Sequence, residues 1–195
     1  MPVTDLLHRH PADWARATRH PFLTAVRDGT LPDGAFDTWL VQDALFVADL
    51  LTFQARLLAR APRPAQAVLA AGAASLVAEL DWFEQQAATR GLDLQVAPLP
   101  ATSAYADLLR RLDGTGAGPA LTAMWTIERT YLDAWSYAAP GTPALQEFVE
   151  HWTVPGFAGY VADLADAADA LGEPDGAVFR EVVAAETAFW DTALR

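Results

Sequence analysis

The stretch that decides the fold most clearly spans residues 124–135 and reads MWTIERTYLDAW. Met124, Tyr131 and Trp135 recur at helical spacing and share one apolar face. Glu128 lies on the same face, so this helix carries a carboxyl group into a core. Burial of an unpaired carboxylate is costly, which predicts that Glu128 is paired, protonated or kept for chemistry.

The same combination of a carboxyl group with helically spaced aromatic residues occurs twice more. Glu186 precedes Phe189, and Asp43 lies between Trp39 and Phe46. An interior side chain hydrogen-bonded to a neighbouring helix would explain Asp43 without any function. For Glu128 and Glu186 the structural and the functional interpretation stay equally open, since neither has a basic partner at a favourable helical offset. The three carboxyl groups are therefore the first candidates for a site.

Helical periodicity continues along nearly the whole chain, and no segment shows the strict alternation of a strand. The sequence predicts an all-α fold, a compact bundle of about eight helices in a single domain over residues 1–195. Thr4 is expected to cap a first helix that ends near Thr18. Thr102 is expected to cap a later helix, and Pro119 to begin the helix that carries Glu128.

Composition excludes several classes of function. The chain has 25 acidic and 13 basic residues, a net charge of −12 that repels phosphate backbones and anionic lipids, so neither nucleic acid nor a membrane is an expected partner. It has no cysteine, hence no disulfide, no thiolate ligand and no thiolate nucleophile. The residues near Met1 show no apolar run of the signal-peptide type, which predicts a cytoplasmic protein.

The four histidines do not predict a metal or haem centre. None forms a Glu-x-x-His or His-x-x-x-His pair on one helix. His20 precedes Pro21, which is typical of a helix start, and a single histidine does not define a haem pocket. No metal and no cofactor is therefore expected.

Two groups of short motifs, taken together, resemble the TenA family, the thiaminase II-like proteins of thiamin salvage. The N-terminal group comprises residues 20–22 (HPF), 28–32 (DGTLP), Phe36 and the pair 42–43 (QD); the C-terminal group is residues 186–191 (ETAFWD). The resemblance covers nearly the whole chain. It implies the haem oxygenase-like helical bundle, assembled as a homodimer or homotetramer.

Most members of that family attack the pyrimidine ring with a cysteine. Here residues 125–131 (WTIERTY) fall where the cysteine-bearing helix belongs, and they resemble a branch in which glutamate replaces the cysteine. Residues 79–84 (ELDWFE) and 150–157 (EHWTVPGF) resemble the same branch. The resemblance implies that Glu186 and Glu128 are catalytic. It implies that the substrate-binding residues are Asp43, Phe46, Tyr105 and Tyr131.

The implied reaction is hydrolysis of a thiamin-derived 4-aminopyrimidine, such as 4-amino-5-aminomethyl-2-methylpyrimidine or its N-formyl derivative. Glu128 would act as general base on water, and Glu186 would protonate the ring or the leaving amine. The pKa values of the two acids are expected to be pushed apart, with one protonated and one ionised near neutrality.

Two other functions remain open at this point. A non-catalytic pyrimidine carrier would keep Asp43 and the aromatic walls and tolerate loss of Glu128. An oxygenase that uses haem or a metal on the same fold is the other alternative. The sequence leaves the substituent of the pyrimidine undecided, and likewise whether the chain removes a formyl group or cleaves thiamin itself.

Overall fold

The computed structural model describes residues 1–194, and every regular element within that range is helical. This confirms the all-α prediction. The helices are α1 (Asp5–Arg9), α2 (Pro11–Thr18), α3 (Pro21–Asp28), α4 (Ala35–Arg60), α5 (Arg63–Arg90), α6 (Pro100–Asp113), α7 (Ala117–Ala138), α8 (Gln146–His151), α9 (Pro155–Asp169) and α10 (Gly176–Asp191), followed by the 3-10 turn Thr192–Leu194.

Helix α7 lies at the centre of the bundle. It packs against α2, α3, α9 and α10, and every residue from Ala120 to Glu128 is buried. A helix that is buried all round needs apolar residues on all its faces, and α7 has them except at a few polar positions. Helices α4 and α5 form a long pair joined at Pro62, which cannot continue a helix.

A cluster of packed tryptophan rings holds several helices in fixed relative positions. The rings of Trp135 and Trp152 stack with centroids 4.8 Å apart, and Trp39 meets Trp135 edge-on at 5.0 Å. Trp190 stacks on Trp39 from α10. These rings come from α4, α7, α10 and the α8–α9 junction, so one rigid aromatic core sets the relative positions of four segments.

The predicted first helix is wrong, because Pro11 divides it into α1 and α2. Proline has no N–H to donate and clashes with the preceding turn, so a second helix starts there. Thr4 precedes α1, but its hydroxyl makes no capping hydrogen bond.

The predicted cap at Thr102 is also wrong. Helix α6 begins at Pro100, which places Thr102 inside its first turn. The Thr102 hydroxyl donates to Gln42 Oε1 at 2.7 Å instead, and so ties α6 to α4. Helix α7 begins at Ala117, before Pro119, because a proline in the first turn lacks only an N–H that would be unpaired there. Within residues 1–194, no helix is both long and apolar enough to cross a membrane.

Candidate active site

A cavity of about 390 Å³ opens between α4, α5, α7 and α9. Its walls are mostly apolar, with a few polar groups from different helices, as is usual for small-molecule sites. The polar and aromatic residues of its lining include Phe46, Glu79, Glu128, Tyr131, His151, Trp152 and Tyr160.

Glu128 is the unpaired acid of this cavity. Its residue surface is 7% exposed, and its carboxyl group makes no hydrogen bond with any residue from 1 to 194. Arg129 turns away and donates to Asp133 Oδ1 at 2.9 Å, as the 100° step between helical neighbours requires. Burial, followed by the charges of Glu79 and Glu186, raises the pKa of Glu128 well above its ordinary value.

Glu186 is held by Tyr105. The Tyr105 hydroxyl donates to Glu186 Oε1 at 2.6 Å, and Glu186 Oε2 is buried without a partner among the described residues. Burial raises the pKa of Glu186 to about 8, although the hydrogen bond from Tyr105 acts in the opposite direction. The carboxyl group is therefore fixed in orientation and holds a proton at neutral pH.

Asp43 and Tyr131 form a second pair of the same kind. The Tyr131 hydroxyl donates to Asp43 Oδ1, while Asp43 Oδ2 is buried and has no partner within residues 1–194. Burial is the main cause that raises the pKa of Asp43 well above its ordinary value. Each pair thus presents one anchored and one free carboxyl oxygen.

The ring of Phe46 joins the two pairs. It lies 4.5 Å from the ring of Tyr105 and stacks at 16° with the ring of Tyr131, the centroids 6.3 Å apart. Five of the six predicted site residues are therefore directly linked, and Glu128 lies one turn before Tyr131 in the same cavity wall. Asp43, Tyr105 and Glu186 are not part of the cavity lining, and lie behind the wall formed by Phe46 and Tyr131.

Burial acts on both acids of the proposed catalytic pair, so it raises their pKa values independently of any repulsion between them. Glu128 and Glu186 both have raised pKa values, because burial is the largest cause for each of them. Repulsion between the two acids is a smaller contribution, and repulsion alone would have raised only one of them.

Sequence reasoning did not assign roles to Glu79, His151 and Trp152. Glu79 Oε1 accepts a hydrogen bond from Trp152 Nε1 at 2.8 Å and lies 3.6 Å from His151 Nε2. The signal for Glu79 was weak: it shares its helix face with the buried Leu76 and Phe83, but the helix is rich in alanine and its faces differ little in polarity.

Tyr160 was also missed. Gln54 Nε2 donates both to the carbonyl oxygen of Leu69 at 2.8 Å and to the Tyr160 hydroxyl at 3.1 Å. Tyr160 therefore accepts from Gln54, and its own hydroxyl proton is free to point into the cavity. This approach requires Gly72, because a Cβ there would lie 2.1 Å from the Tyr160 hydroxyl oxygen.

His20 is a structural residue. It caps α3, with Nδ1 accepting from the backbone N–H of Phe22 at 3.2 Å and Nε2 3.1 Å from Asp191 Oδ1. Both ring nitrogens are engaged by the protein, which leaves neither for a haem iron. In the described part of the chain, no three His, Cys, Asp or Glu side chains are placed to hold a metal ion together.

Comparisons with known proteins agree with this fold. The model of the TENA/THI-4/PQQC family matches residues 8–195. A soybean (Glycine max) protein described as a probable bifunctional TENA-E protein is 33% identical over 175 residues, covering 84% of this chain and 76% of the relative.

Solved structures show the same architecture. A TenA homologue from Pyrococcus furiosus superposes with a TM-score of 0.93 at 28% identity, covering 99% of this chain and 100% of the homologue. A structure described as a putative TenA-like thiaminase from Sulfolobus solfataricus reaches 0.87 at 19% identity, covering 99% and 95%. At that lower identity the likeness shows the fold alone. The single-domain helical bundle predicted from the sequence is confirmed.

Proposed function

This chain belongs to the TENA/THI-4/PQQC family, and on that premise we propose that it hydrolyses 4-aminopyrimidines derived from thiamin, without a cysteine nucleophile. One observation supports this most strongly. Glu128 is a buried carboxyl group without a hydrogen-bond partner among residues 1–194, and it lines a cavity large enough for a small aromatic ring. Burial of an unpaired carboxyl group costs free energy of folding. An acid with a shifted pKa that lines a cavity is therefore a candidate catalytic residue.

The paired acids suit an aminopyrimidine. A protonated carboxyl group offers one O–H donor and one acceptor, which match a ring nitrogen and the neighbouring amino group. One oxygen of each carboxyl group is already engaged by a tyrosine, so Asp43 Oδ2 and Glu186 Oε2, which have no partner among the described residues, would each supply one of these two positions. The rings of Phe46 and Tyr131 are nearly parallel, with centroids 6.3 Å apart. A planar ring bound between them needs a spacing of about 7 Å, which is two contacts of roughly 3.5 Å each. The rings then separate slightly on binding, and the acids behind them become accessible.

The chemistry follows from the two glutamates. Glu128 accepts a proton from water, the water oxygen bonds to the methylene carbon of the 5-substituent, and the carbon–nitrogen bond breaks with its electron pair going to nitrogen. Glu186 protonates the ring or the leaving amine. The balance is R–CH2–NH2 + H2O giving R–CH2–OH + NH3. A raised pKa makes Glu128 a strong base once it is ionised, and a cationic ligand nearby favours that ionised form.

The chain has no cysteine thiolate, and this limits the range of substrates that we expect. A thiolate is the better carbon nucleophile, so covalent cleavage of thiamin is less suited to this chain than direct attack by water. We therefore expect the aminopyrimidine or its N-formyl derivative to be a better substrate than thiamin.

Purified protein is incubated with the aminomethylpyrimidine, its N-formyl derivative and thiamin in parallel, and products are separated by chromatography. The proposal expects hydroxymethylpyrimidine and ammonia from the aminomethylpyrimidine, or hydroxymethylpyrimidine and formamide from the N-formyl derivative cleaved at the same bond. Tight binding without turnover would replace it with the carrier function. Neither binding nor turnover would overturn it.

A further inference from the structure

The polar end of the cavity has an unusual charge. Two carboxyl groups, Glu79 and Glu128, line it, and none of the lining residues in the described chain is Lys or Arg. Glu128 is more than nine-tenths buried and has no hydrogen-bond partner within residues 1–194, and the basic side chain of the lining, His151, lies instead beside Glu79, with Nε2 3.6 Å from Glu79 Oε1. The charge of Glu79 is in fact one cause of the raised pKa of Glu128. A cation is the ligand that would relieve this repulsion.

Glu79 is built as a fixed acceptor. Its Oε1 accepts a hydrogen bond from the indole N–H of Trp152, and its Oε2 makes no hydrogen bond within residues 1–194. Trp152 is itself locked by the stacked ring of Trp135. His151, on the other side, stacks on Trp82 at 4.0 Å and 12°. The carboxylate therefore has a defined orientation, with one oxygen left for a ligand.

Glu79 also lies nearer to solvent than Glu128. Its side chain is 15% exposed, and it reaches the cavity from α5, whereas Glu128 reaches it from α7. Phe46, Tyr131 and both acids line the same cavity, so a small ring bound against the two aromatic residues has Glu79 and Glu128 in the surrounding wall. We propose, building on the proposed function, that Glu79 is the residue that binds the cationic ammonium group of an arylmethylamine substrate and so selects aminomethylpyrimidines over their neutral formylated or hydroxylated counterparts.

The chemistry separates this ligand from its competitors. An ammonium group has three N–H donors and no acceptor, which suits the two carboxyl groups of Glu79 and Glu128 that line the cavity. A phosphorylated ligand would place its charge against both glutamates, and no Lys or Arg of the described chain lines the cavity to offset it. A formylated amine is neutral and forfeits the charge-assisted hydrogen bond, which is roughly twice as strong as a neutral one.

The test uses Glu79→Gln, which keeps a side-chain oxygen for Trp152 and removes only the charge. Glu84→Gln is the matched control, because Glu84 is exposed on the same helix and its loss changes the net charge equally. Titration calorimetry compares two ligand pairs: aminomethyl- against hydroxymethylpyrimidine, and benzylamine against benzyl alcohol. The second pair carries the same charge contrast without a pyrimidine.

The proposal expects Glu79→Gln to weaken the cationic member of each pair by about 10- to 100-fold, the equivalent of one charge-assisted hydrogen bond. The neutral members and the Glu84→Gln protein should match wild type within about twofold. Equal loss for cationic and neutral ligands would show a structural role and overturn the proposal. An unchanged preference in Glu79→Gln, or no preference in wild type, would overturn it too.

The two proposals fail separately. If no pyrimidine binds but benzylamine is preferred and that preference is lost in Glu79→Gln, the cation site stands and the proposed function falls. If wild type hydrolyses an aminopyrimidine and Glu79→Gln binds both pairs like wild type, the function stands and the role of Glu79 falls.

Discussion

The hydroxyl group of Tyr105 donates a hydrogen bond to Glu186 Oε1 at 2.6 Å, and this contact joins α6 to α10 across 81 residues of chain. Both side chains are almost completely buried. The contact fixes the direction of the carboxyl group, whose Oε2 has no hydrogen-bond partner in the described part of the chain. It also stabilises the ionised form, so it keeps the pKa of Glu186 lower than burial alone would.

Tyr105→Phe should move the pKa of Glu186 above its present value of about 8, because a hydrogen bond to the charged form is lost. A buried acceptor is left unpaired, so the free energy of unfolding should fall by about 1–3 kcal/mol. The alkaline limb of the activity profile and urea unfolding measure the two effects. An alkaline limb that stays in place would show that Tyr105 does not control Glu186.

Activity of the wild-type protein should decrease as the pH rises through about 8. Glu186 is assigned as a proton donor, and it is in its protonated form below that pKa. The logarithm of kcat/KM plotted against pH measures this limb. In Glu186→Gln the activity should fall about 10²-fold or more, and the limb near pH 8 should disappear. A limb retained in Glu186→Gln would assign the titration to another group.

Stability should depend on pH through the same residue. The pKa of Glu186 is about 8 in the folded protein against an ordinary value of 4.5, so between these values the folded state binds more protons than the unfolded state. The stabilisation is complete below about pH 4.5 and is lost as the pH rises through 8. Urea unfolding at a series of pH values should show a shallower decline in Glu186→Gln, by at most about 1.4 kcal/mol per pH unit. Asp43 and Glu128 contribute with the same sign, so part of the decline should remain. Identical slopes in variant and wild type would contradict the raised pKa.

Gly72→Ala should destabilise the protein, although alanine is the better helix former. The added Cβ would lie 2.1 Å from the Tyr160 hydroxyl oxygen and 2.3 Å from Gln54 Nε2. Overpacking of this kind costs about 1–3 kcal/mol, more than the gain of up to about 1 kcal/mol in helix propensity. Gly159→Ala on α9 is the control, because nothing lies within 4 Å of its Cβ position, and it should be neutral or stabilising. Denaturant unfolding compares the two, and equal effects would contradict the close Gly72–Tyr160 approach.

Helical phase alone was enough to place the three acids inside. Asp43, Glu128 and Glu186 are each buried, as the apolar residues three and four positions away predict. The tyrosine partners could not be obtained this way. Tyr131 lies 88 residues from Asp43, and a contact between two helices depends on how the whole bundle packs. The resemblance to a family supplied those tyrosines as binding residues, but it did not supply their hydrogen bonds.

Glu79 shows why one side of the site was missed. Residues 65–78 of its helix are rich in alanine, so neither face is clearly more apolar than the other. Periodicity then gives little contrast between a buried and an exposed face. The wrong prediction for Thr102 has a different cause. A threonine near a helix start is typical of a cap, but its hydroxyl can equally form a hydrogen bond with a side chain of a neighbouring helix.

The most direct test of the account compares turnover of 4-amino-5-aminomethyl-2-methylpyrimidine by wild type, Glu128→Gln and the exposed-surface control Glu84→Gln. Glutamine has the same shape as glutamate and cannot take a proton from water. We expect wild type and Glu84→Gln to release hydroxymethylpyrimidine and ammonia at equal rates, and Glu128→Gln to be slower by about 10²-fold or more while unfolding at a similar denaturant concentration. Turnover in Glu128→Gln within about threefold of wild type, or no turnover by wild type, would contradict a glutamate-dependent hydrolase.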